Sequence, residues 1–458
     1  MTARRPCPPA PGPLEDYATH FDPLFHSLAQ RHHFRTYLAG LLAPRDRPKT
    51  LTALAGAEPL VQAQAAPVQQ LQFFLSESCW DADLITMRTL QLLGDDPLTA
   101  SDADGVLVID DTGDRKDGSA TDHVARQYLG SVGKVDNGIV AVTTLWANEQ
   151  RYYPLHVAPY TPEGRLPDGK KNPAFRSKPQ IALALVERAL AAGIAFKAIV
   201  ADCFYGDHRE LVATLRQRRL PFVLSHRGTV GRGWAPADLA HSFNEAIGEL
   251  HLRDWHKVTR HFRDGHVEQW WAAELTFLGY GPGKPVRAIC ATTDRRALPV
   301  LSTWFLTTNL PLEAASLAEV VRLYGLRHWV EQGYKQMKDQ LGWADFMVRS
   351  DRAIRRHWVL VCCAFAFCWW QEAHQARLHN RDSDPMRKKK PARAIADAMP
   401  LAAPAALGAG MVDASAVAHA LLARLLRQAP ACRAGCPGEI LYRERRNKPL
   451  SPALTNYH

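Results

Sequence analysis

Two short apolar runs, each ending in an acid, constrain this chain more than any other feature. Val106-Leu-Val-Ile109 leads into Asp110-Asp111-Thr112-Gly113, and Phe196-Lys-Ala-Ile-Val-Ala201 leads into Asp202. Continuous apolar runs of this length read as strands buried on both faces, each delivering its acid at the C-terminal tip. If the two strands are neighbours, both carboxylates emerge at one sheet edge, where repulsion and desolvation disfavour them unless a cation lies between. Hard oxygen ligands with open positions suit Mg²⁺ or Mn²⁺, and a pair of such ions can clamp both oxygens of a phosphoryl displacement. An Asp at a strand end also caps turns and following helices, and for either acid alone that reading stays open.

The rest of the chain sets these strands in a mixed α/β sheet. Ile139–Trp146 and Arg151–Val157 continue an antiparallel meander, Pro179–Ala192 reads as an amphipathic helix closed by Gly193, and Gly206–Arg219 as another helix before a strand at Pro221–Ser225. Antiparallel strands followed by alternating helix and strand argue for a mixed sheet and against a pure dinucleotide-binding fold. Residues 227–310, rich in Trp and strand-like, read as an insertion; Gly279–Lys284 lacks the Ser/Thr of a phosphate loop and reads as a hairpin turn. Before the sheet, residues 17–100 are helical in pattern, with Arg31, Arg35, Arg45, Arg47 and Lys49 around an apolar stripe. That is either a solvated basic face or a DNA-contacting domain. Residues 1–16 read as a disordered, proline-rich tail, 311–380 as helices completing the core, and 381–458 as a basic region open to DNA or dimer contacts.

Composition narrows the partners. With 458 residues there is chain for two or three domains, and 56 Lys and Arg against 46 Asp and Glu give a net charge of +10, which favours a polyanion. The nine cysteines form no paired framework, and Cys432 and Cys436 lack a second ligand pair for zinc. No signal-like N-terminus is present. The thirteen-residue apolar run Trp358–Trp370 is too short to span a bilayer and fits a buried helix, so a soluble cytoplasmic protein is expected.

A third acid comes from Tyr324, Arg327, Glu331 and Lys338. On a continuous helix at ~100° per residue these four fall within a stripe roughly 60° wide, presenting a carboxylate flanked by two cations and a phenol. A surface salt-bridge ladder would carry the same pattern.

Asp110-Asp-Thr, Ala201-Asp-Cys-Phe-Tyr-Gly-Asp207 and Tyr324-x2-Arg-x3-Glu-x6-Lys338 together resemble the three signatures of bacterial insertion-sequence DDE transposases. The last is similar to the Tyr-Arg-Glu-Lys signature of the branch with a β-rich insertion before the catalytic glutamate. Arg126–Lys134 and the helical segment around Gly40-Leu-Leu42 resemble one subgroup. The resemblance spans about residues 20–375. It implies an RNase H-like catalytic core (101–226 and 311–380), a β-rich insertion domain (227–310) and a helical N-terminal DNA-binding domain (17–100). It implies that Asp110, Asp202 and Glu331 hold two Mg²⁺ ions, with Mn²⁺ as substitute, and that Asp111 is the rival for the first place. Tyr324, Arg327 and Lys338 would contact phosphates at the cleaved end, where Arg grips bidentately and Lys supplies a point charge. Trp304 resembles the insertion-domain Trp that stacks on a flipped base, although a core Trp in a strand fits the same sequence.

The resemblance implies a transposase that hydrolyses the phosphodiester at an element's ends and joins the freed 3′-OH to target DNA. It would work as a homodimer on the inverted repeats, nucleoid-associated and with no membrane. Two alternatives are a metal-dependent nuclease of the same fold that cuts without joining, and a non-catalytic DNA-binding descendant.

Overall fold

In the computed structural model, the residues described are 7–59, 61–228, 242–248, 250–261, 266–277, 286–295 and 303–382. They form two compact units. A helical unit draws on 7–100, 336–348 and 352–382, and a sheet unit on 101–335 and 349–351.

In the helical unit, α1 (Pro13–Thr19), α2 (Leu28–Leu42), α3 (Leu51–Leu54), α4 (Ala66–Ser76) and α5 (Ala82–Gly94) come first. Ser27 starts α2 through a reciprocal capping box with Gln30. The core is aromatic: Tyr17, Phe21, Phe25, Phe34 and Phe74 are sealed from water, as are Trp343 and Trp358, which stack at 5.2 Å. The apolar run Trp358–Trp370 is buried, as expected, apart from a half-buried Trp370. No helix among the described residues is long and apolar enough to cross a membrane.

Two expectations are corrected here. The proline-rich tail does not extend to residue 16, because α1 begins at Pro13 and buries Leu14 and Tyr17. The basic stripe is not a solvated face either. Arg31 and Arg35 are buried, and Arg35 is forked onto Glu15 (2.8 Å) and Asp22 (2.7 Å). Arg45 donates to the Lys338 carbonyl, Arg47 to the Ala57 carbonyl, and the buried Lys49 to the Leu41 and Ala43 carbonyls. Arg31, Arg35 and Lys49 are turned inward, where a buried charge must be paired, while the exposed Arg45 and half-buried Arg47 bond nearby carbonyls.

The sheet unit contains β1 (Val106–Arg115), β2 (Ala125–Leu129), β3 (Lys134–Ala147), β4 (Tyr152–Tyr160), α6 (Lys178–Ala191), β5 (Ala198–Ala201), α7 (Cys203–Gly206), α8 (Arg209–Gln217) and β6 (Phe222–His226). These are followed by α9 (Phe243–Gly248), β7 (His256–His261), β8 (Val267–Phe277), β9 (Val286–Thr292), β10 (Thr303–Thr308) and α10 (Leu317–Gly325). The helices α11 (His328–Asp339) and α12 (Asp351–Asp382) follow. The expected mixed α/β sheet is present, with strand order β2-β3-β1-β5-β6-β10-β9-β8-β7 and β4 paired to β3. Its centre is parallel (β1-β5-β6), where Val106–Ile109 and Ala198–Ala201 are wholly buried. The strands between 256 and 308 extend this same sheet, because β10 pairs antiparallel with β6. Gly279–Lys284 lies outside the described residues, but the strands it joins pair antiparallel with Phe277 opposite Val286.

Three local readings change. β1 does not stop at its acids but runs on to Arg115 against β3, so Asp110 and Asp111 stand where parallel pairing with β5 ends. The helix expected over 206–219 is α8, beginning at Arg209, and the short α7 ahead of it overlaps the expected range only at Gly206. The continuous helix expected over 316–341 breaks at Leu326 and Arg327, where Arg327 N–H bonds the Tyr324 carbonyl (3.0 Å) and Val330 N–H the Arg327 carbonyl (3.0 Å). These tightened bonds replace the α ladder and reset the rotation. Gly333 does not break α11; a Cβ there would stand 3.1 Å from Leu145, so glycine allows the helix to lie close on β3.

An ion-pair cluster fastens α10. Glu319, after the capping Ser316, meets Arg322 and Lys197, and its carboxyl is held down at about 2, chiefly by hydrogen bonding to Arg322. A depressed carboxyl stabilises the fold above its unfolded value and loses that contribution as pH falls. Glu319→Gln is therefore expected to cost about 1–3 kcal/mol at pH 7, discounted for partial exposure. In chemical denaturation, the gap to wild type should shrink steadily from about pH 5 towards 2.

Candidate active site

The site forms where the parallel strands end. Ile109 is in register with Ala201, so Asp110 and Asp202 follow from adjacent strands at the same point. Asp202 has left its strand and caps α7, accepting from the N–H groups of Phe204 (3.1 Å) and Tyr205 (3.4 Å). The capping reading is thus also true of it. The turn that carries it is held by Gly206, which lies flat against β6: a Cβ there would meet the Ser225 carbonyl oxygen at 1.9 Å.

Strand pleating turns the neighbouring acids to opposite faces. Asp111 is engaged by Lys178 of α6 at 2.8 Å and accepts from the Tyr205 hydroxyl at 3.2 Å. Asp110 instead accepts from Arg327 at 2.9 Å. The same guanidinium reaches Glu331, on the first turn of α11, at 3.2 Å. Arg327 therefore draws together the acid of β1 and the acid of α11.

The electrostatics are those of crowded acids. Burial pushes the Asp110 carboxyl well above the usual range; Arg327 opposes this, while Asp202 and Asp111 add to it. Burial likewise raises the Asp202 carboxyl against the pull of Arg327, with Asp111 adding to the rise. Among the described residues no three His, Cys, Asp or Glu side chains stand close enough to share an ion. The donor set nevertheless suits a divalent cation, since Asp110, Asp202 and Glu331 offer hard oxygens and the first two carry carboxyls that a single guanidinium leaves short of compensation.

The other expected residues are placed as follows. Tyr324 is buried behind the site; burial raises its hydroxyl, which is hydrogen-bonded to Ser225. It does not share a stripe with Arg327, because the helix breaks between them. Trp304, on β10, meets Tyr324 edge-on at 4.9 Å and Trp270 at 4.2 Å, with the Arg260 guanidinium 4.9 Å from its ring. It is half-buried in an aromatic and cationic cluster. Lys338 lies in the last turn of α11 and belongs to the helical unit.

Sequence reasoning did not find Lys178, Tyr205, Tyr334 or Arg260. The Tyr334 hydroxyl bonds Thr143, the residue opposite Asp110 on β3. Lys178 follows the capping Ser177 of α6, a signal for a helix start but not for a bond to Asp111.

Relatives give this geometry a lineage. The DDE superfamily endonuclease family matches residues 20–231, and the transposase DDE domain family matches residues 144–367. A protein of Microchaete diplosiphon described as the probable transposase for insertion sequence element IS701 is 33% identical over 355 residues, covering 76% of this chain and 84% of that protein. With acids where the parallel pairing of two adjacent strands ends in an RNase H-like mixed sheet, the chain belongs to the insertion-sequence transposases of the DDE superfamily.

Proposed function

We propose that this protein cuts the ends of its own element and joins the freed 3′-OH to target DNA, with Asp110, Asp202 and Glu331 as the acids that hold two Mg²⁺ ions. The observation that carries this reading is the convergence of Asp110 and Glu331 on one guanidinium, with Asp202 following the adjacent strand. Asp110 is preferred to Asp111 because it shares Arg327 with Glu331, whereas Asp111 is engaged by Lys178 and Tyr205 on the other face of β1.

Bound divalent ions would supply Lewis-acid activation of the attacking oxygen and neutralise charge at the leaving one. The residues of the chain do the rest. Asp110 is held by the β1–β3 ladder and Asp202 by its cap on α7, so both carboxylates are pre-positioned. Arg327 would grip a phosphate of the element end, with Lys338 adding a point charge and Tyr324 backing Arg327. Trp304, tilted against Trp270, offers a platform for an unpaired base once Arg260 moves aside. The protein would act as a homodimer holding two inverted-repeat ends, with the helical N-terminal region contributing DNA contacts.

The test uses a precut end duplex, supercoiled target DNA and Mg²⁺. Joined product is the expected result. Cleavage of uncut ends without any joining would leave a nuclease, and duplex binding with neither step would leave a DNA-binding descendant.

A further inference from the structure

We propose that Arg327 is the counter-ion of the resting site: without DNA its guanidinium occupies the place of a divalent cation between Asp110 and Glu331, and a DNA phosphate draws it away, so that DNA and metal bind cooperatively. This rests on the reading of Asp110, Asp202 and Glu331 as the metal-holding acids.

Both terminal nitrogens of Arg327 hold an acid. One terminal nitrogen meets Asp110 Oδ2 at 2.9 Å, the other meets Glu331 Oε1 at 3.2 Å, and Nε is buried with no partner. A forked guanidinium that spans two carboxylates is doing what a cation between them would do, and the two cannot occupy the same oxygens at once. The other nearby cation, Lys178, is engaged with Asp111 on the opposite face of β1. An ion entering between Asp110 and Glu331 must therefore displace Arg327, and that displacement weakens its apparent affinity.

A phosphate reverses the balance. It offers planar bidentate acceptance to the same fork, and the orphaned Nε–H supplies a further donor for it. Once Arg327 has moved to DNA, Asp110 and Glu331 are left uncompensated and ready for an ion. By linkage, DNA tightens metal binding and metal tightens DNA binding by the same factor. The device keeps a hydrolytic centre unloaded until its substrate arrives.

The experiment is Mn²⁺ titration of the full chain by calorimetry and electron paramagnetic resonance. It is run with and without a duplex copied from the terminal sequence of the element, and thermal melts confirm folding. Wild-type protein is expected to bind Mn²⁺ about tenfold more tightly with the duplex. Arg327→Gln is expected to bind Mn²⁺ without DNA about as tightly as wild type does with it, and to lose the DNA dependence. Arg327→Lys keeps the charge but not the fork, so without DNA it is expected to bind Mn²⁺ several-fold more tightly than wild type; it serves as the second variant should Arg327→Gln misfold. If folded Arg327→Gln or Arg327→Lys binds Mn²⁺ no more tightly than wild type, the counter-ion role is wrong. Asp110→Asn and Asp202→Asn separate the two failures: if they leave Mn²⁺ binding unchanged, the metal-holding reading itself falls.

Discussion

Asp202→Asn should abolish end cleavage and joining, by roughly 10³-fold or more, while duplex binding stays within a few-fold of wild type. The asparagine amide oxygen can still accept from Phe204 and Tyr205, so the cap on α7 survives and only the negative charge is lost. Stability should move the other way. The Asp202 carboxyl is raised in the fold, chiefly by burial, so its contribution is fully present below the unfolded value and is lost as pH rises through the folded one. Wild-type protein without metal is therefore expected to melt at or below the variant at pH 7.5, with the gap closing near pH 4. A variant that cleaves within a few-fold of wild type would remove Asp202 from the chemistry.

Gly206→Ala is expected to cost the sheet unit about 3 kcal/mol and to lower activity with it. The added methyl meets the Ser225 backbone oxygen at 1.9 Å, a contact that no side-chain rotation relieves, so either α7 or β6 must shift. α7 carries Asp202 at its cap and Tyr205 against Asp111, so the displacement is passed directly to the acids. Gly164→Ala is the control: a methyl there meets nothing within 4 Å, and its denaturation midpoint should match wild type. Equal midpoints for both variants would show that the close approach at Gly206 carries no strain.

Much of the sheet was legible because its signal is local. Val106–Ile109 and the run ending at Ala201 are apolar at every position but one, Lys197, and they became adjacent buried parallel strands. What could not be read depends on pairing between distant segments. Nothing in β1 itself reveals that β3 continues beside it past Asp110 to Gly138 opposite Arg115. The helix break at Leu326–Arg327 carries no proline and is marked only by Gly325, so periodicity alone ran through it. The basic residues of α2 and its following loop were identified correctly as cations, but their acids and carbonyls lie up to about three hundred residues away, as Asp345 does from Arg45. The three candidate acids stand out by their neighbours in sequence, whereas the pairing of Lys178 with Asp111 is visible only in the fold.

The anchoring of the acids differs in kind. Asp110 is stitched into the β1–β3 ladder and Asp202 is pinned by two amides, whereas Glu331 extends from a helix with 60% of its side chain in water. Two of these acids are fixed by backbone structure and the third reaches out on a longer side chain. On the proposed reading, fitting ions of different radius falls to the torsions of Glu331, and shortening it to aspartate would take that adjustment away.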